Sequence, residues 1–324
     1  MRRNMNEFEL IAHYFAEQKQ VKRPDVILGI GDDCAILEVP KDQQLLMSMD
    51  TLVNGVHFPV NTSAYDIGYK ALAVNLSDLA AMGATPAWFS LALTLPVLDK
   101  DWLSGFSEGL FALAQEFKVQ LVGGDTTRGP LSITIQVHGF TPRGKVITRK
   151  GAKAGDLIYV SNSLGDAGLA LQHILSQVNL PSSVFSSVLE QLNRPFPRIK
   201  EGLILADYAT AMIDISDGLI ADLDHILKQS KVGALVDVNT LPLSLELKQS
   251  LDFSAAVNLA LTAGDDYELC FTIPADKKEQ VEMHMDHEGY KIHCIGTITA
   301  NEHLVLHLGE QVWDKGSLQG YTHF

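Results

Sequence analysis

The chain has 324 residues, 46% of them hydrophobic and 20% charged, with 39 acids against 25 bases for a formal net charge of −14. That length and apolar content suit about two folded domains and exclude wholesale disorder. So acidic a chain is also a poor candidate for wrapping nucleic acid, and no nucleic-acid partner is expected, because phosphate contacts need clustered Lys and Arg.

The first predicted element is an amphipathic helix, with Phe8, Ile11, Ala12 and Phe15 at i, i+3, i+4, i+7 and an Asn6–Glu9 capping pair before it. No apolar stretch follows Arg2-Arg3 and no apolar run is long enough to span a bilayer. A cytoplasmic protein with no membrane partner is therefore expected. Residues 26–30 read as a short β-branched strand running into Gly31-Asp32-Asp33, and residues 45–49 as a second strand ending at Asp50-Thr51. Residues 64–82 read as an Ala-rich helix closed by Gly83. A strand (87–95), a helix (99–118) and two strands (119–122 and 131–140) complete the first half.

The polar, glycine-bearing segment Arg149–Asp156 marks a boundary, giving predicted domains 1–150 and 151–324. Beyond it, strand and helix alternate. A strand at 157–160 is followed by the loop 163–168 and a helix to about 178. Helices near 198–209 and 218–229 and strands at 211–215, 233–238, 267–273 and 291–299 follow. His284 and His287 fall in a surface helix and His303 and His307 in a strand. The fold class expected is a two-domain α+β or α/β architecture: a mixed N-terminal sheet with helices and a layered C-terminal α/β domain.

One pattern recurs along the chain. An apolar strand ends in aspartate beside Gly, Ser or Thr, as in Ile30-Gly31-Asp32-Asp33, Ser48-Met49-Asp50-Thr51, Gly123-Gly124-Asp125-Thr126, Asp214-Ile215-Ser216-Asp217 and Gly264-Asp265-Asp266. Asp78 interrupts a helix otherwise built of Ala, Leu and Val. Aspartate is unfavourable in strands and helix interiors, and such local rule-breaking is expected where function demands it. Each Asp alone could be a cap or turn residue. Carboxylates that converge cannot stay ionised together without cations, and oxygen donors without His or Cys select Mg²⁺. Magnesium bridges to phosphate oxygens, which supplies the positive charge that an acidic chain lacks for binding polyphosphate.

Absences narrow the reading. There is no GxxxxGK[ST], no protein-kinase motif set and no HExxH, and Gly29-Ile30-Gly31-Asp32-Asp33-Cys34 departs from a dinucleotide fingerprint. Cys34, Cys270 and Cys294 form no CxxC, which argues against a disulfide scaffold or zinc ribbon. His57 lies in a Gly-containing loop just after Asp50, where a ligand contact and a packing role are both open. Arg149 is either a linker charge or a phosphate contact. Trp313 and Tyr321, near the C-terminal end, either dock the tail or stack on a flat or cationic ligand.

Taken in order, GIGDDCA (29–35), SMDTLVNGVHF (48–58), KALAVNLSDLAAMGATP (70–86), GGDTTRGP (123–130), TRKGAKAGD (148–156), DISDGL (214–219) and GDDYEL (264–269) resemble the bacterial thiamine-monophosphate kinase family. Its wider superfamily includes aminoimidazole ribonucleotide synthetase. The resemblance implies Asp33, Ser48, Met49, Asp50, Asp78, Asp125, Asp214 and Asp217 as ligands of several Mg²⁺ ions, Met49 through its backbone oxygen. It implies Gly124, Asp125, Arg149 and Ser216 as ATP contacts, and His57, Asp265 and Tyr321 as contacts to thiamine monophosphate. Asp265 stands where Glu is common in the family, which sets its carboxylate back by about 1.5 Å. A homodimer whose N-terminal sheets pair into a barrel is implied as well.

The chemistry so implied is direct in-line transfer of the ATP γ-phosphoryl group to a phosphate acceptor, with no covalent protein nucleophile. A ligase of the aminoimidazole ribonucleotide synthetase type and a non-catalytic Mg-nucleotide binder are the competing readings.

Overall fold

The computed structural model describes residues 7–16, 18 and 21–313, so Asn6 and Tyr321 lie outside the described residues. The chain forms two compact units, one ending at Leu79 and resuming over Ala84–Gly144, the other comprising Ala80–Gly83 and the chain from Lys145 onward.

In the first unit, α1 (Glu7–Ile11) passes into a π-helical turn over Ala12–Ala16. Strands β1 (Val26–Leu28) and β2 (Ile36–Leu37) form a small antiparallel pair. Then come β3 (Gln43–Val53), α2 (Ala64–Ala81), β4 (Thr85–Leu95), α3 (Lys100–Glu116), β5 (Gln120–Arg128) and β6 (Ser132–Pro142). The sheet order is β3-β6-β4-β5, antiparallel except for the parallel β4–β5 pair.

Alternation explains which face each strand buries. On β3, Leu46 and Leu52 are buried while Leu45, Met47, Met49 and Thr51 are exposed, as period-2 pleating requires. The buried face meets leucines and phenylalanines of the helices: Leu72, Leu76 and Leu79 of α2 and Leu103, Phe106 and Leu110 of α3 are almost wholly excluded from solvent. Each such side chain contributes roughly 1.5–3 kcal/mol as an upper value. Helices α2 and α3 approach closely because glycines stand at the crossing. A Cβ on Gly68 would lie 2.1 Å from Phe106 O, and one on Gly109 would lie 2.0 Å from Tyr65 O. Alanine at either position would push the helices apart.

The second unit holds β7 (Leu157–Ser161), α4 (Asp166–Ile174), α5 (Ser182–Asn193), α6 (Ile199–Leu205), β8 (Ala211–Asp214), α7 (Leu219–Ser230), β9 (Gly233–Asp237), α8 (Leu245–Ser250), α9 (Phe253–Thr262), β10 (Leu269–Ile273), α10 (Lys278–His287), β11 (Ile292–Thr299), β12 (Leu304–Leu308) and β13 (Gln311–Val312). Its seven-stranded sheet runs β13-β12-β9-β11-β7-β10-β8, and of its neighbouring pairs only β12–β9 is parallel. Strand β10, buried at every position, and β8, equally buried, read as continuous apolar runs because helices cover them.

Three differences from the sequence expectation have physical causes. Strand β5 continues through Gly123-Gly124-Asp125 instead of ending at residue 122, because Leu91 and Ala92 of β4 pair with Gly124 and Asp125 in parallel register. Helix α4 stops at Ile174, with Leu175 as its cap and Ser176 in the left-handed region at φ 59°. Helices α5, α8 and α9 were not anticipated. The latter two carry side-chain caps at Ser244 and Asp252 that are legible once sought.

Candidate active site

In the first unit the candidate residues of β3 and α2 come together. Ser48 and Asp50 lie on the same face of β3 as the buried Leu46 and Leu52, and α2 presents Asn75 and Asp78 to them. The Ser48 hydroxyl donates to Asp78 Oδ2 at 2.5 Å, and the Asp50 N–H donates to Asn75 Oδ1 at 3.0 Å. Asn75 is fully buried and donates its own Nδ2 to Ala71 O at 2.9 Å. Met49 faces the opposite side of β3 and is 60% exposed, which leaves only its backbone for any role beside Ser48 and Asp50.

Asp33 lies on the exposed stretch between β1 and β2, where its N–H donates to Asp32 Oδ1 at 2.8 Å. Asp125 is exposed on β5, directly after Gly124, whose φ of +153° and closeness to the Leu91 carbonyl admit no side chain. The following residues, Thr126, Thr127 and Arg128, line a groove of about 450 Å³ together with Leu10, Leu95, Val97 and Leu98.

His57 is held by a closed loop. Val56 and His57 N–H both donate to Val53 O, Gly55 N–H donates to Phe58 O, and Val53 N–H donates to His57 Nδ1 at 3.0 Å. A ring nitrogen that accepts from an amide carries no proton, so the proton of the neutral imidazole sits on Nε2.

In the second unit, the loop after β8 gathers several candidates. Asp214 ends the buried strand, and Ser216 and Asp217 follow, each partly exposed. The segment 264–268 runs alongside: Asp265 N–H donates to Ser216 O at 2.9 Å, Tyr267 N–H to Ile215 O at 2.8 Å, and Ile215 N–H to Glu268 O at 2.7 Å. Asp265 and Tyr267 take left-handed φ values of 68° and 49°, a conformation that costs a non-glycine residue energy and must be imposed by its surroundings. Arg149 is brought to the same edge, since Thr148 O accepts Met212 N–H of β8 at 3.1 Å. Gly151 allows this approach, because a Cβ there would lie 2.2 Å from Thr210 O.

Carboxylates not singled out in the sequence support this loop. Asp222 Oδ2 accepts the N–H groups of Ser216 and Asp217 at 3.0 Å each. Burial pushes the Asp222 carboxyl up to about 7; the charge of Asp217 adds to this, while those two N–H groups and Arg149 oppose it. Asp266 accepts Gly165 N–H at 2.9 and 3.0 Å. The residue keeps some surface, but protein surrounds its carboxyl, and that burial, aided by Glu268, Asp166 and Asp265, holds it well above the ordinary range. Glu268 is buried and takes a forked pair from Arg198 at 2.8 and 2.5 Å, with Ser161 Oγ donating at 2.5 Å.

Among the described residues, no three His, Cys, Asp or Glu side chains form a preformed metal cage. The donors that do meet around Ser48, Asp78 and Asn75 are oxygens, the type that suits a hard divalent cation.

Residues 31–141 match the family model "AIR synthase related protein, N-terminal domain", and residues 153–309 match "AIR synthase related protein, C-terminal domain". The chain is 47% identical over 319 residues to the thiamine-monophosphate kinase of Escherichia coli (strain K12), covering 98% of both chains. Among solved structures it resembles thiamine-monophosphate kinase from Stenotrophomonas maltophilia K279a, with a TM-score of 0.84 at 45% identity over 90% of this chain and 93% of that one. It also resembles AaThiL complexed with AMPPCP and TMP, with a TM-score of 0.78 at 30% identity over 89% of each chain.

Proposed function

This chain belongs to the thiamine-monophosphate kinase family, and from that premise we propose that it transfers the γ-phosphoryl group of ATP to thiamine monophosphate, yielding thiamine diphosphate and ADP. The observation that carries this reading is 47% identity over 98% of the chain to a thiamine-monophosphate kinase, together with a relative complexed with AMPPCP and TMP. A cytoplasmic location goes with the reading, since the reaction consumes ATP.

The acceptor phosphate is already an anionic oxygen nucleophile, so the protein needs no strong base. A new bond forms between an acceptor oxygen and the γ-phosphorus while the bond from that phosphorus to the ADP oxygen breaks. The obstacle is repulsion between two anions, and the protein's task is positioning and charge stabilisation. Magnesium ions, when bound, supply positive charge between the phosphates. The first-unit oxygens meet the demand of such an ion: a serine hydroxyl on a carboxylate, with no imidazole or thiolate in the set. The proposed ligands are Asp33, Ser48, Asp50, Asp78 and Asp125, with the Met49 backbone oxygen, and Asp214 and Asp217 in the second unit. Gly124, Asp125, Arg149 and Ser216 are assigned to ATP. The functional division proposed follows residue 150, with ATP and metal binding centred on the N-terminal part.

His57, Asp265 and Tyr321 are assigned to thiamine monophosphate. A neutral His57 with its proton on Nε2 is suited to donating to an anionic ligand. A carboxylate at Asp265 suits the fixed positive charge of the thiazolium.

A homodimer is also proposed. Leu45, Met47 and Met49, at 45%, 63% and 60% exposure, place an apolar stripe on the outer face of edge strand β3, a surface suited to a second copy of the sheet. Light scattering tests it. A monomeric mass at micromolar concentration would overturn the dimer.

The function is tested with purified protein, ATP, Mg²⁺ and thiamine monophosphate, with free thiamine as the control acceptor. Thiamine diphosphate and ADP are expected in equal amounts from the monophosphate and neither from thiamine. No turnover with the monophosphate would overturn the reading.

A further inference from the structure

The loop that carries Ser216 and Asp217 is gripped on two sides. Its carbonyl groups face the segment 264–268, where Ser216 O and Ile215 O accept N–H groups from Asp265 and Tyr267 at 2.9 and 2.8 Å. The two chains lie so close that a Cβ on Gly264 would sit 2.4 Å from Ser216 O. The loop's amide groups face the other way. Ser216 N–H and Asp217 N–H both end on one oxygen, Asp222 Oδ2, at 3.0 Å each.

Asp222 stands in the first turn of α7 and is 3% exposed. An acid in that position ordinarily answers the free N–H groups or the dipole of its own helix. Here it reaches back past the helix start to amides five and six residues earlier. The entry into α7 is fixed as well: Gly218 has φ +109°, and a Cβ on it would meet Thr262 O at 2.7 Å. With both N–H and C=O of Ser216 committed, and the N–H of Asp217 held beside it, the Cα–Cβ directions of these two residues are set.

We propose that Asp222 is a positioning residue for phosphoryl transfer, which fixes the Ser216-Asp217 loop through two amide hydrogen bonds so that both side chains are presented to metal and nucleotide. It touches neither substrate nor metal itself. The proposal rests on the reading of Asp217 as a Mg²⁺ ligand and Ser216 as an ATP contact. Outer partners that orient metal ligands typically carry about 10–100-fold of affinity or activity.

The test compares Asp222→Ala, Asp222→Asn and Asp217→Asn in the full-length protein, with kcat, KM for each substrate and the Mg²⁺ activation curve measured for each. Asp222→Ala is expected to raise half-saturating Mg²⁺ and lower kcat/KM for ATP by about 10–100-fold, with KM for thiamine monophosphate unchanged. Asp222→Asn keeps an oxygen that accepts both amides and is expected to recover most of that loss. A wild-type Mg²⁺ curve in folded Asp222→Ala, while Asp217→Asn is inactive, overturns the positioning role and leaves the ligand reading intact. An Asn variant as impaired as the Ala variant also overturns it, since charge and not hydrogen bonding would then be the cause. A wild-type Mg²⁺ curve in Asp217→Asn removes the ligand reading and the proposal with it. Should Asp222→Ala fail to fold, hydrogen exchange decides: the Ser216 and Asp217 amides are expected to be protected in wild type and Asp222→Asn alike, and free exchange in the wild type overturns the proposal.

Discussion

Asn75 Oδ1 accepts the Asp50 backbone N–H at 3.0 Å while Asn75 Nδ2 donates to Ala71 O at 2.9 Å. Strand β3 is an edge of its sheet, and α2 supplies this amide with a side-chain acceptor. The buried asparagine thereby fixes the strand at the residue proposed to bind metal. Replacing it with alanine takes that acceptor from a partly buried N–H, which costs at most about 1–3 kcal/mol. Asn75→Ala is expected to lower the urea midpoint accordingly and to depress kcat in the protein that remains folded. Asn75→Asp keeps the acceptor but loses the donor and adds a buried charge, so it should be the less stable of the two. Wild-type kcat in folded Asn75→Ala would show that the register of Asp50 does not need this bond.

Arg198 and Glu268 form a buried forked pair, with Ser161 Oγ on the same carboxylate and in turn accepting Leu269 N–H at 2.8 Å. Truncating one partner leaves the other charge buried. Glu201, 3.7 Å from Arg198, compensates only at longer range. Glu268→Ala is therefore expected to destabilise by about 3–5 kcal/mol, whereas Arg198→Met with Glu268→Leu should recover part of the loss, Glu201 being left without the guanidinium beside it. Urea unfolding of the single and double variants checks this, and a double variant no more stable than the single one would contradict it.

The candidate residues drew notice because aspartate is costly where it stands: inside β3, β5 and α2 it contradicts local propensity, and that conflict is visible in one dimension. Their supporting residues did not. Asp222 looks like an ordinary first-turn helix acid, and only the fold turns it back toward Ser216. Asp266 sits inside the GDD motif, yet nothing in the sequence separates its role, holding Gly165, from that of its neighbour Asp265. The glycines at 123 and 124 suggest that the strand stops before them, and the parallel register with β4 overrides that signal. Helix α5 begins Ser-Ser after a proline and so resembles a loop until packing buries Val188 and Leu192.

Adjacent glycines in β5 give a paired test of that strand. A Cβ on Gly124 would lie 1.9 Å from Leu91 O, at a φ of +153°, whereas one on Gly123 would meet nothing within 4 Å. Gly124→Ala must therefore push the strands apart, at a cost of about 1–3 kcal/mol or more, and it displaces Asp125 beside it. Gly123→Ala should be tolerated. Thermal melts of the two variants check the contrast, and equal melting temperatures would contradict the parallel β4–β5 pairing.

Asp25 ties the β1–β2 segment, and with it the stretch containing Asp33, to the sheet. Its carboxylate accepts from Arg23 at 2.9 and 2.7 Å and from the Trp88 indole at 3.0 Å. Trp88 in turn packs edge-on to Phe140 at 5.0 Å, within a cluster that takes in Val26, Ala35 and Leu37. Burial pushes the Asp25 carboxyl up, but the hydrogen bonds from Arg23 and Trp88 and the guanidinium charge outweigh it and hold the pKa below the ordinary value. A folded-state pKa below the unfolded one means that the ionised group stabilises the fold above an unfolded value of about 3.9, and that this share is lost as pH falls through the folded value. Asp25→Asn removes the titration. The difference in urea midpoint between wild type and Asp25→Asn should therefore be constant near neutrality and shrink as the pH is taken below about 4. A difference that is the same in acid as at neutrality would mean that the Arg23 and Trp88 contacts do not depend on the carboxylate's charge.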